Sequence, residues 1–125
     1  SDCGIADLPF LFDNVESVRK VLSDETFLSL LKEKFEAQDL ALMLVADQGF
    51  RCITTNREIK SFEDLAGMQM RVQDNANHIA FWTDATLAPT PLAFSELYLS
   101  LQQGLLHAQG NPYRTTVASK FYRDL

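Results

Sequence analysis

The stretch SFEDLAGMQMRVQDN, Ser61 to Asn75, carries a helix start, a stop, a strand and the next turn in one short run. Ser61 and Asp64 have the capping-box offset, at which a hydroxyl and an acid satisfy each other's backbone donors, and Gly67 suits a helix end. Met68-Gln69-Met70-Arg71-Val72 then alternates apolar and polar, the period of a strand. Working outward, Ala76 to Thr86 reads as a helix carrying Ile79, Ala80 and Trp82. Ala88-Pro89-Thr90-Pro91 is extended, because each proline biases its predecessor away from the helical region. Phe94, Leu97, Tyr98 and Leu101 give a helix stopped by Gly104, Leu105 to Gln109 a further strand, and Asn111-Pro112 a last helix with Asn as N-cap and Pro at the first position. Upstream, Phe50 to Thr55 is rich in strand formers. The uniformly apolar Leu40 to Ala46 predicts a strand buried on both faces, as in a parallel sheet. Two helices precede it: one from about Asn14 to Leu22 with Asp13 as cap, and one capped by Ser23 or Asp24 that carries Phe27, Leu28, Leu31 and Phe35. Leu8 to Phe12, interrupted by Pro9, reads as an extended segment entering a turn. Strands alternating with helices predict an α/β fold with a mostly parallel or mixed sheet flanked by helices.

The chain of 125 residues has 11 basic and 17 acidic residues, a net charge of −6 and 46% hydrophobic residues, which by length and composition fits one globular domain able to fold without a metal or disulfide. No cofactor is implied. A pI of about 4.7 argues against nucleic acid as a partner, because phosphate-backbone binders present clustered Lys and Arg. The longest apolar run, Leu40 to Ala46, is far shorter than a bilayer span. Ser1 to Asp7 has neither a basic region nor an apolar core, so a signal peptide is expected to be absent from this chain. Cys3 and Cys52 have no metal spacing and can form at most one bridge.

Neither a glycine-rich phosphate loop nor a nucleophile elbow nor a paired-histidine metal motif is present, so no enzyme is expected. His78 and His107 lack a third ligand at a telling spacing and read as structural imidazoles. Ser95 beside Glu96 reads as a helix-start hydroxyl. In open α/β sheets ligands lie beyond the carboxyl ends of strands. That rule directs attention to Asp47, Arg51, Arg71, Gln73, Asp74 and Asn111. Arg71 is the sharpest of these, since a guanidinium between apolar strand neighbours needs a partner. Two readings stay open: an internal ion pair with Asp74 or Asp47, or a ligand carboxylate held by the planar fork.

Four segments then point together. DLPFLFDNVESVRKVL (Asp7 to Leu22), NREIKSFEDLAGMQMRVQDN (Asn56 to Asn75), PTPLAFSELYLSLQQGL (Pro89 to Leu105) and NPYRTTVASKFY (Asn111 to Tyr122) resemble, in order and spacing, the DctP-type solute-binding proteins of tripartite ATP-independent periplasmic (TRAP) transporters. The resemblance implies a periplasmic, two-lobed binding protein that closes on a small organic acid, such as a dicarboxylate, and delivers it to membrane permease subunits driven by an ion gradient. It implies no catalysis. By the same resemblance the chain is a middle portion, with residues 1–46 ending the first lobe and residues 47–125 forming the main part of the second, ligand-binding lobe, both incomplete. Arg71 is implied as the carboxylate clamp, with Arg51, Phe94 and Asn111 around it; Asp74, singled out by its place beyond a strand end rather than by the resemblance, completes the expected ligand-binding set. The chain departs from the family pattern at His107-Ala108-Gln109-Gly110, where an acidic-Gly-Gln-Glu run is usual, and lacks a proline near Ala76. An alternative follows from the shortness: a fragment that binds no solute and self-associates through unpaired strand edges, expected as a homodimer or higher oligomer.

Overall fold

The computed structural model describes residues 2–124, with the side chains of residues 2–4 left aside. The chain divides into two compact units, Ser1–Gly49 and Phe50–Leu125, where length and composition alone suggest one.

In the first unit a 3-10 turn, Asp2–Asp7, leads to two helices, α1 (Val15–Leu22) and α2 (Glu25–Glu36). Asn14 caps α1, its side-chain oxygen accepting from the Ser17 N–H at 2.8 Å, so the cap lies one residue later than the spacing from Asp13 predicts. Asp24 caps α2 in the same way, accepting from the Phe27 N–H at 2.8 Å. α2 ends in a Schellman closure: the Leu40 N–H reaches the Phe35 carbonyl at 3.0 Å while Asp39 takes the left-handed conformation, φ 56°. Leu8 to Phe12 is a run of bends with Phe10 at φ 58° rather than extended chain.

Leu40 to Ala46 is not a strand; among the described residues the first unit contains none. A strand exists only by hydrogen bonding to a neighbouring strand, and hydrophobicity does not supply that neighbour. Met43 and Leu44 are instead 88% and 75% exposed. Cys52 is exposed, and the Cys3 side chain, on which a bridge would depend, lies outside the described residues.

The second unit is built on a four-stranded sheet of β1 (Arg51–Thr55), β2 (Gln69–Val72), β3 (Ala88–Pro91) and β4 (Ala108–Pro112), in the order β1-β4-β2-β3. β2 runs parallel to β3 and β4, while β1 is antiparallel to β4, so the sheet is mixed and the expected α/β class holds. A 3-10 turn at Phe62–Leu65 follows the Ser61 capping box; α3 (Ala76–Asp84) and α4 (Phe94–Gln102) fill the crossovers from β2 to β3 and from β3 to β4, and α5 (Tyr113–Ala118) follows β4. Period-two alternation gives the sheet two chemically different faces. On one face Met70, Val72 and Ala108 join Leu65, Met68, Ala85 and Leu87, with Ile79 and Trp82 of α3 against them. A separate cluster, Leu97, Leu101, Leu106 and Phe121, anchors α4 and the C-terminal turn.

Two boundaries differ from expectation, both for local reasons. Gly104, at φ 70°, closes α4 by a Schellman turn from the Leu105 N–H to the Ser100 carbonyl, and Leu106 enters the second cluster, so β4 starts only at Ala108. Asn111 is consequently a strand residue paired with Cys52, not an N-cap; Pro112 takes the cap position of α5.

Candidate functional site

The carboxyl ends of β2, β3 and β4 and the amino end of the antiparallel β1 meet at one end of the sheet. Topology thus gathers Arg51, Arg71, the β3–α4 connection and Asn111. Arg71 is 3% exposed. Its Nε donates to the Leu92 carbonyl at 2.9 Å, and Leu92 is fixed in turn by its own N–H on the Val72 carbonyl. Its Nη1 is buried with no hydrogen-bond partner among the described residues. Burial, and second the positive charge of Arg51, hold the Arg71 guanidinium below its ordinary pKa. Both causes disfavour a charge that an anion at this place would favour.

Phe94, the first residue of α4, has its ring 5.9 Å from the Arg71 guanidinium carbon and meets Phe121 edge-on at 5.6 Å. Arg51 Nη2 donates to the Gly110 carbonyl and lies 3.3 Å from Asn111 Oδ1. Asn111 is buried and donates through Nδ2 to Gln109 Oε1 at 2.6 Å. Gln109, fully buried, donates through Nε2 to Thr54 Oγ1 at 2.6 Å and Thr116 Oγ1 at 3.2 Å.

Neither internal ion pair for Arg71 forms. Asp74 is exposed beyond the end of β2 and makes no ion pair among the described residues, and Asp47 pairs with Arg19 at 3.3 Å inside the first unit. Of the five expected ligand residues, Arg51, Arg71, Phe94 and Asn111 are linked by direct contacts or by charge, whereas Asp74 is not drawn into that cluster. Gln73 is exposed. His107 is tied to β2, its N–H on the Gln69 carbonyl at 2.8 Å and its Nδ1 accepting the Gln69 N–H at 3.2 Å. Gly110 stands on the apolar face, where a Cβ would come 3.0 Å from Met70 Cε. Its departure from the resembled pattern therefore falls on the side of the strand opposite Gln109 and Asn111. The sequence reading missed Gln109, Thr54 and Thr116 as a connected group; the available signal was polar residues at 109 and 111 on one face of a short strand. No group of three His, Cys, Asp or Glu among the described residues could hold a metal.

Compared with known proteins, the chain matches the DctP family, described as bacterial extracellular solute-binding protein, family 7, over residues 1–124. The chain belongs to the DctP family. A solute-binding protein of Verminephrobacter eiseniae is 36% identical over 118 residues, 94% of this chain and 35% of that protein. The crystal structure of a TRAP periplasmic solute-binding protein from Polaromonas sp. JS666 bound to D-erythronate is 35% identical, with a TM-score of 0.89 over 97% of this chain and 40% of that one. That of a sugar acid binding protein from Advenella mimigardefordensis with galactonate is 33% identical, TM-score 0.88, over 97% and 39%. The chain thus spans between about a third and two-fifths of these DctP-family relatives. DctP members are periplasmic binding components of TRAP transporters and not enzymes.

Proposed function

We propose that this chain supplies the arginine wall of an acid-binding site in an extracytoplasmic TRAP solute-binding subunit that captures a small organic acid for ion-gradient-driven uptake through membrane permease subunits. The observation that carries the proposal is the buried Nη1 of Arg71, which has no hydrogen-bond partner among the described residues while its Nε is pinned to Leu92. An unpaired buried charged donor is costly, and a carboxylate is the partner whose shape and charge fit the guanidinium fork. Because Nη1 is covered, capture includes a local opening over the guanidinium, and the half-exposed Phe94 ring is placed to provide it. Arg51 and Asn111 add positive charge and a polar amide at the same end of the sheet; Asp74, exposed past β2, stands outside the contacts of this group. Sugar acids such as the aldonates held by the two similar crystal structures are the first candidates, ahead of dicarboxylates. In this reading residues 1–46 end the first lobe and residues 47–125 belong to the second.

The test is calorimetry on the whole protein with D-erythronate and galactonate, comparing the parent with Arg71→Lys. One charge-assisted hydrogen bond contributes about 1.5 to 3 kcal/mol, so the lysine variant, which gives up one bond of the fork, is expected to bind roughly 10- to 150-fold more weakly. Unchanged affinity would remove Arg71 from the site.

The exposure of Phe10 and Met43, both 88%, also favours a second reading for the chain by itself: self-association through exposed apolar side chains without solute binding. Light scattering on the isolated chain at high concentration is expected to give a dimer or larger mass, and a strict monomer rejects this reading.

A further inference from the structure

We infer that Gln109 is a positioning residue for the acid site, its buried amide dictating which end of the Asn111 amide faces Arg51. The inference rests on the proposed role of Arg51 and Asn111. Gln109 occupies the middle of β4 with no exposed surface, a place where an apolar side chain would avoid the cost of burying an amide. Its bonds run in one row: Thr54 and Thr116 accept from Nε2, Oε1 accepts from Asn111, and Asn111 Oδ1 faces Arg51. Arginine can only donate. The Asn111 carbonyl must therefore face Arg51, its NH2 must face inward, and only an acceptor at Gln109 Oε1 completes the row. A reversed Asn111 would set donor against donor at Arg51. The two threonines come from different elements, β1 in register with Gln109 and α5 directly after β4, so two elements hold the same Nε2.

The distinguishing experiment is a double-mutant cycle on the whole protein with D-erythronate and galactonate as probes. Gln109→Met is expected to weaken binding about tenfold in the parent and in Arg71→Lys, but less than about twofold in Asn111→Ala, where nothing remains to orient. A merely structural loss would subtract equally from all three backgrounds, and that additive result overturns the inference. Should Gln109→Met fail to fold, Thr54→Val with Thr116→Val unhooks the far end of the same amide and enters the cycle with the same expected coupling. If the parent binds neither acid, the proposed ligand class fails while the inference is still decided by hydrogen exchange of the Asn111 side-chain NH2. Exchange at least about tenfold faster in the variant, with the sheet amides unchanged, supports the positioning role; unaltered exchange refutes it.

Discussion

Arg71 lies between Met70 and Val72, both buried, and is itself almost as covered as they are. A methionine in its place would give up the hydrogen bond to Leu92 and the unpaired charge together. Because even a paired buried charge can often be replaced by apolar side chains of similar volume without loss of stability, and an unpaired one is costlier still to bury, Arg71→Met is expected to melt no lower than the parent in calorimetry while losing acid binding. A melting temperature several degrees lower would mean that the guanidinium has a structural partner. The position was legible in the sequence because strand alternation placed a charge beside apolar neighbours. Gln109 was not, since period-two patterning tells which face a residue shares but not which hydroxyls from another strand and the following helix will reach it.

Among the elements, those announced by capping and glycine chemistry stand near where the sequence puts them: α2 behind Asp24, the turn behind Ser61, and the end of α4 before Gly104. Those announced by hydrophobicity alone moved or vanished, as β4 and the Leu40 to Ala46 run did, because strand existence depends on a partner that local sequence does not name. The capping box at Ser61 offers a test by pH. Asp64 Oδ2 accepts from the Lys60 and Ser61 N–H groups at 2.9 and 3.0 Å, and these backbone bonds hold its carboxyl below the ordinary aspartate range. A carboxyl with a lowered folded-state pKa lends stability above its unfolded value and loses it as the pH falls through the folded one. The parent is therefore expected to lose more stability than Asp64→Asn between about pH 5 and pH 2 in melts followed by circular dichroism. Parallel pH profiles for the two proteins would show that the box adds nothing measurable.

Over the molecule as a whole, burial is uneven. Helices α1 and α2 have no fully buried residue, whereas β4 is buried along its entire length. Local opening follows such differences, so hydrogen exchange on the isolated chain is expected to be fast throughout residues 15–36 and slowest at residues 69–72 and 108–111. Equal protection of both units would contradict that gradient. The α/β class was legible because turn chemistry repeats along the chain; the strand order was not, since nothing in the sequence of β1 or β2 says that they never touch. Among the described residues they are joined only through β4, the last of the four strands in sequence. During synthesis, the first three strands therefore leave the ribosome with no means of assembling into one sheet, and both Arg51 and Arg71 wait on a segment translated more than thirty residues after the second of them. A stop codon or protease cut shortly before Ala108 would erase the sheet's spine while sparing most of the chain, leaving two edges for chaperones to guard.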